Sequence, residues 1–115
     1  DLIDTLLNTD ANGFIKVSGY LREIDTSLTF IIFLVNQELE KLYSILKPTT
    51  SKPYIPSFLV TKYKNASKKY TLDELLFLLK NIASIDIKSK YMSRKSNPWI
   101  SFNGLFYNLM SKSAE

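Results

Sequence analysis

The chain has 115 residues, a formal charge of +4, and neither cysteine nor histidine. Thiolate nucleophiles, disulfides, Cys/His zinc sites and imidazole bases are therefore excluded. The three glycines, Gly13, Gly19 and Gly104, lie too far apart for a phosphate-cradling glycine loop, which leaves carboxylates, lysines and hydroxyls and makes an enzyme the poorer expectation.

The hydrophobic pattern is helical almost throughout. Leu2, Ile3, Leu6 and Leu7 form a short apolar stripe, and Asn8 to Gly13 is polar and turn-like. Phe14, Val17, Leu21 and Ile24 recur at three- and four-residue steps, with Lys16, Arg22 and Glu23 off that face. Asp25 to Ser27 offers caps for a helix from about Leu28 to Lys47. The first half of that helix is apolar all round, from Phe30 to Val35, which places it at the centre of a bundle. A strand is the rival for this run, because β-branched and aromatic residues favour strands. The long periodic continuation favours helix, with Leu39, Leu42, Tyr43 and Leu46 inside and Glu38, Glu40 and Lys41 outside.

Pro48, Pro53 and Pro56 bracket a Ser/Thr-rich loop, and Pro56 suits the first turn of a helix reaching about Ala66. On that helix Leu59, Tyr63 and Ala66 form a buried stripe. Lys62 and Lys69 fall on one edge of it, and Lys64 and Lys68 on nearly the opposite one. Thr71 and Glu74 have capping-box spacing at the start of a helix from Leu72 to about Lys90, and Asp73 and Glu74 sit where the helix dipole favours acids. Its inner face is Leu75, Leu76, Leu79, Ile82 and Ala83, widened by Phe77, Leu78 and Ile85, so it packs on two sides. Asn97 and Pro98 cap and open a last helix whose apolar face is Trp99, Phe102, Phe106, Leu109 and Met110. The sum is an all-α bundle of five or six helices in one domain. The longest dense apolar run, Leu28 to Val35, is far short of the ~20 residues of a membrane span. The chain starts at Asp1 directly in an apolar pattern and reads as a C-terminal piece cut from a longer protein.

The charge is unevenly spread. Residues 1–46 carry three basic and seven acidic side chains, a net of −4, and residues 47–115 carry twelve and four, a net of +8. Lys88, Lys90, Arg94 and Lys95, with Tyr91 among them, form the best candidate for contact with DNA by charge and stacking. A solvated loop is the plainer alternative. Tyr20, Phe77 and Tyr107 each lie off the densest stripe of their helix and are candidate subunit contacts. Asp86 and Lys90 are one turn apart, and either form a surface ion pair or end the helix at such a contact.

From Tyr54 through Lys90 the order of elements resembles the C-terminal domain of the delta subunit of bacterial DNA polymerase III. There a proline-led helix with basic residues precedes a capped Leu-rich helix that ends in an Asp-x-x-x-Lys phrase. Here YTLDELLFLLKNIASIDIKSK has that shape, with Asp86 and Lys90 in the phrase. NPWISFNGLFYNLM is similar to the family's last helix, and DLIDTLLNTDANGFIKVSGYLREID to its short helix pair. The resemblance implies a helical collar module, without catalytic residue, cofactor or metal, that joins other clamp-loader subunits in a ring in the bacterial cytoplasm. It also implies that the sliding clamp is engaged only through an N-terminal part not included here, and that emerging template DNA passes nearby. The excess of Lys over Arg and the positive charge between Lys88 and Asn97 go beyond the family's pattern. The alternative class is a small basic helical nucleic-acid-binding module.

Overall fold

The structure, a computed structural model, describes residues 1–47, 55–91 and 98–113, without the side chains of 89–91 and 112–113. Among these residues there are six α-helices and no strand: α1 (Leu2–Leu7), α2 (Ala11–Glu23), α3 (Leu28–Leu46), α4 (Val60–Ser67), α5 (Leu72–Tyr91) and α6 (Pro98–Ser113). A 3₁₀ turn at Ser57–Leu59 leads into α4. The Phe30–Val35 run is helical, so the strand alternative falls away.

The starts of α1, α2, α3 and α5 have a local cause. Asp1 accepts from the Ile3 N–H at 2.7 Å, Asp10 from Gly13 at 3.0 Å and Ser27 from Phe30 at 3.4 Å. At α5 the capping box closes in both directions. Thr71 Oγ1 accepts from the Glu74 N–H at 3.1 Å, and Glu74 Oε1 accepts from the Thr71 N–H at 2.8 Å. The cap of α2 also demands its glycine, since a Cβ on Gly13 would lie 2.2 Å from Asp10 Oδ2. Helices α1 and α2 end in Schellman turns, with Thr9 (φ 52°) and Asp25 (φ 58°) left-handed. The Asp10 N–H reaches Thr5 O at 2.9 Å, and the Thr26 N–H reaches Leu21 O at 3.0 Å.

The principal packing partners close a ring. Helix α1 packs on α2, α2 on α6, α6 on α5, α5 on α3, α3 on α4, and α4 back on α1. One continuous core fills the ring, with Leu6, Phe14, Val35, Leu39, Leu75, Leu78, Phe102 and Phe106 fully buried. Phe14 of α2 stacks 5.0 Å from Phe106 of α6, and Trp99 meets Phe102 edge-on at 6.1 Å. The radius of gyration is 14.1 Å. A compact chain of this length would have about 13 Å, and the excess reflects an elongated body of 41 × 29 × 24 Å.

Three expectations about faces are corrected. Helix α3 is not central: Phe30 and Phe33 are 54% and 57% exposed. A helix with neighbours only on its flanks in a ring must turn one stripe outward, whatever that stripe contains. Leu46 also reaches the surface, while Glu38 and Lys41 are half-buried against α4. On α5 the buried stripe is Leu75, Leu78, Ile82 and Ile85, while Ala83 is exposed and Leu76 and Leu79 are half-buried. The helix packs on α3 and α6, so its core line falls between the two and is rotated from the expected one. On α2, Ile24 caps the C-terminus and is exposed, and Ser18 is buried in its place. The Ser18 hydroxyl donates to Ile15 O at 3.1 Å, which satisfies it inside the core.

Candidate interaction surface

Helix α4 is fastened by polar contacts. The Lys62 ammonium lies 2.9 Å from Asp4 of α1 and holds that carboxyl below its usual range by hydrogen bond and charge. The Tyr63 hydroxyl donates to Glu38 of α3. Lys41 binds the same carboxylate at 3.2 Å and stands 5.4 Å over the Tyr63 ring. Just past α4, the buried Tyr70 hydroxyl donates to Leu6 O. Both tyrosine hydroxyls are pushed well above their usual range, first by burial, and Tyr63 also by its bond to Glu38. These groups hold the helix to its neighbours. As expected, Tyr63 and Ala66 are buried, and Lys62, Lys64, Lys68 and Lys69 are exposed around them.

The surface features of interest are apolar. A groove of about 590 Å³ runs between the start of α5 and the end of α6. Phe77, Leu105 and Leu109 supply its apolar lining, with Asp73, Glu74 and Asn108 as polar neighbours. A second groove of about 310 Å³ lies between α3 and the far end of α5, lined by Thr29, Ile32, Phe33, Asn36, Ile82, Ala83 and Asp86. The two grooves flank α5 on opposite sides, because the helix is sandwiched between α6 and α3.

The expected contact residues are therefore spread over several faces. Phe77 is 51% exposed and lines the first groove, while half-buried Asp86 lines the second. Tyr20 on α2 is 60% exposed and Tyr107 on α6 is exposed, and neither lines these grooves. Lys88 is exposed on α5. Lys90 and Tyr91 fall in the last turn of α5, with side chains outside the description, and Arg94 and Lys95 lie outside the described residues.

The sequence pattern missed Phe30, Phe33 and Phe58. A usable signal existed for the first two. Gln37 and Glu40 mark the outward stripe of α3, and stepping back seven residues along it reaches Phe30 and Phe33. Phe58 precedes the regular helix and has no periodicity to betray it. Among the described residues no three Asp or Glu side chains gather as a metal site would require. None of the helices described is long and apolar enough to cross a membrane. No family model, curated protein or solved structure matches the chain.

Proposed function

We propose that the chain is a non-catalytic oligomerisation module: the collar domain of a delta-type clamp-loader subunit of DNA polymerase III, helping to hold the loader subunits in a ring. The supporting observation is the combination of a closed core with large apolar side chains turned outward on α2, α3, α5 and α6, among them Tyr20, Phe33, Phe77 and Tyr107. Soluble bundles bury such side chains when they can, and exposed groups of them mark contact surfaces. The resemblance itself rests on the order of the helices and on the capped Leu-rich α5. In this reading the partners are other clamp-loader subunits, and the bundle offers its side faces to neighbouring collar domains.

The experiment is co-sedimentation with the other loader subunits, with competition against full-length delta for ring assembly. Co-migration, weakened at least ~10-fold by Phe77→Ser in keeping with a buried aromatic contact, is expected. A fragment that neither co-migrates nor competes overturns the reading. Titration with DNA across a salt series separates the nucleic-acid-binding alternative, whose affinity would fall steeply as salt rises.

A further inference from the structure

Glycine follows asparagine twice in this chain, at Asn12–Gly13 and at Asn103–Gly104. Such a pair can rearrange without an enzyme. The backbone nitrogen of the glycine, once it has lost its proton, attacks Cγ of the asparagine side chain. A C–N bond forms, the C–NH₂ bond breaks and ammonia leaves, which gives a cyclic succinimide. Water then opens the ring at either carbonyl, to aspartate or to isoaspartate, whose main chain is one carbon longer. Glycine favours the reaction because it has no Cβ to hinder the attack and lets the backbone reach the conformation that ring closure needs. The two pairs are held differently. Gly104 lies inside α6, where its N–H belongs to the helical ladder, and Asn103 is half-buried with Oδ1 fully so. Asn12 is exposed in the first turn of α2. There the Gly13 N–H is one of the orphan donors of a helix start, and Asp10 Oδ1 accepts from it at 3.0 Å.

We propose that Asn12–Gly13 is a site of self-deamidation, and that the Asp10 cap is the latch that keeps it closed. The latch acts in two ways. The carboxylate holds the proton that must leave the Gly13 nitrogen, and its negative charge opposes the charge that develops there. The cap also demands the residue that makes Asn12 labile, since a Cβ on Gly13 would stand 2.2 Å from Asp10 Oδ2 and 3.1 Å from Thr5 Cγ2 of α1. Opening of the first turn of α2 frees both partners, so the rate in the folded chain is the open-chain rate scaled by the open population. The isoaspartate product does not refit. Its extra main-chain carbon enters two residues before Phe14, which is fully buried and stacks 5.0 Å from Phe106. Either the cap or the seat of Phe14 gives way, so the event loosens α2, and refolding does not reverse it. The aspartate product keeps the chain length and places an acid where the helix dipole accepts one. The inference requires no other protein and stands apart from the collar reading.

The test is peptide mapping by mass spectrometry of the whole chain aged in mildly alkaline buffer, with isoaspartate scored by enzymatic methylation of its free α-carboxylate. In the folded wild type Asn12 should deamidate slowly, and Asn103 should stay intact over the same interval. In denaturant both should convert faster and at similar rates. Asp10→Ala should speed the loss of Asn12 roughly 5-fold, the factor by which losing a cap raises the open population, and should leave Asn103 unchanged. Asp10→Asn, which caps without charge, should recover part of the protection. The purified isoaspartate form should melt below the unmodified chain, whereas Asn12→Asp should melt close to it. Equal rates at Asn12 and Asn103 in the folded chain overturn the inference, because global unfolding would then control both. So does an Asp10→Ala chain that loses Asn12 no faster than the wild type, or one that speeds Asn103 equally. An isoaspartate form that melts with the unmodified chain overturns the loosening of α2. None of these results bears on co-sedimentation with clamp-loader subunits, so the two proposals fail separately.

Discussion

At the scale of single residues, the turn after α1 is the most instructive position. Thr9 sits at φ 52°, and its hydroxyl donates to Asn8 O at 2.7 Å. A left-handed conformation costs an L-residue about 1–2 kcal/mol, and a β-branched one is the least suited to it. Glycine removes that strain but loses more chain entropy on folding, about 0.5–1 kcal/mol. Thr9→Gly should therefore stabilise the fold by about 0.5–1 kcal/mol, seen as a melting temperature a few degrees higher. An unchanged or lower melting temperature would show that the Schellman turn carries no such strain. The opposite case is Gly13, where space and not φ demands glycine, because Asp10 caps α2 across the site of a Cβ. The caps of α3 and α5 were legible in the sequence, since a cap is a contact over three residues, whereas Asp1 and Asp10 were not read as caps. The left-handed positions were not, since neither is a glycine.

At the scale of elements, the number and order of helices were readable, and the orientation of their faces was only partly so. The first half of helix α3 is too apolar for its own periodicity to choose a face; the polar stripe of Gln37 and Glu40 in the second half points outward, and packing against α4 and α5 leaves Phe30 and Phe33 outside along it. The stability consequence can be checked. Phe33→Gln should change unfolding free energy by no more than about 0.5 kcal/mol, as surface substitutions do. Leu78→Ala on α5 should cost about 2–5 kcal/mol, because Leu78 is fully buried. Chemical denaturation of both variants reads the contrast, and comparable losses would place Phe33 in the core. Helix α5 was expected to pack on two sides and does, yet its buried line shifted to Leu78 and Ile85, because the seam between α3 and α6 determines that line. The candidate contact residues behaved alike. Phe77 was legible as off-stripe, and its place on the flank of α5 opposite Asp86 follows from nine residues at 100° each, whereas the groove that each one lines depends on which helices stand on either side.

At the scale of the whole molecule, long-range polar contacts tie the ring shut at α4, and they impose a pH dependence. The raised pKa values of Tyr63 and Tyr70 mean that the folded state holds their protons more tightly than the unfolded chain does. Their contribution is fully present below the unfolded tyrosine pKa of about 10 and is lost as pH rises above it, because the unfolded chain then binds fewer protons. Melting temperature should therefore hold steady up to about pH 10 and fall beyond it. Tyr70→Phe, which removes the hydroxyl bonded to Leu6 O, should lower stability at neutral pH by about 0.5–1.5 kcal/mol and flatten the alkaline fall. An alkaline profile identical in Tyr70→Phe would remove Tyr70 from this account. The Asp4–Lys62 pair acts at the other end. The lowered Asp4 pKa gives stability present above about pH 4 and lost below it, and its half-exposed geometry limits the gain to a few tenths of a kcal/mol.

The sequence by itself determined the all-helical class, the placing of the helices and the caps of α3 and α5, because those depend on residues three or four apart. It also determined that no thiol or imidazole chemistry exists in this chain. Tertiary structure alone decided the closed ring, the core seam of α5 and the juxtaposition of Phe77 with Leu105 and Leu109. Periodicity ranks the faces of one helix by hydrophobicity. Which face is covered depends on how many neighbours stand around that helix and where, and this is settled only when all six pack together.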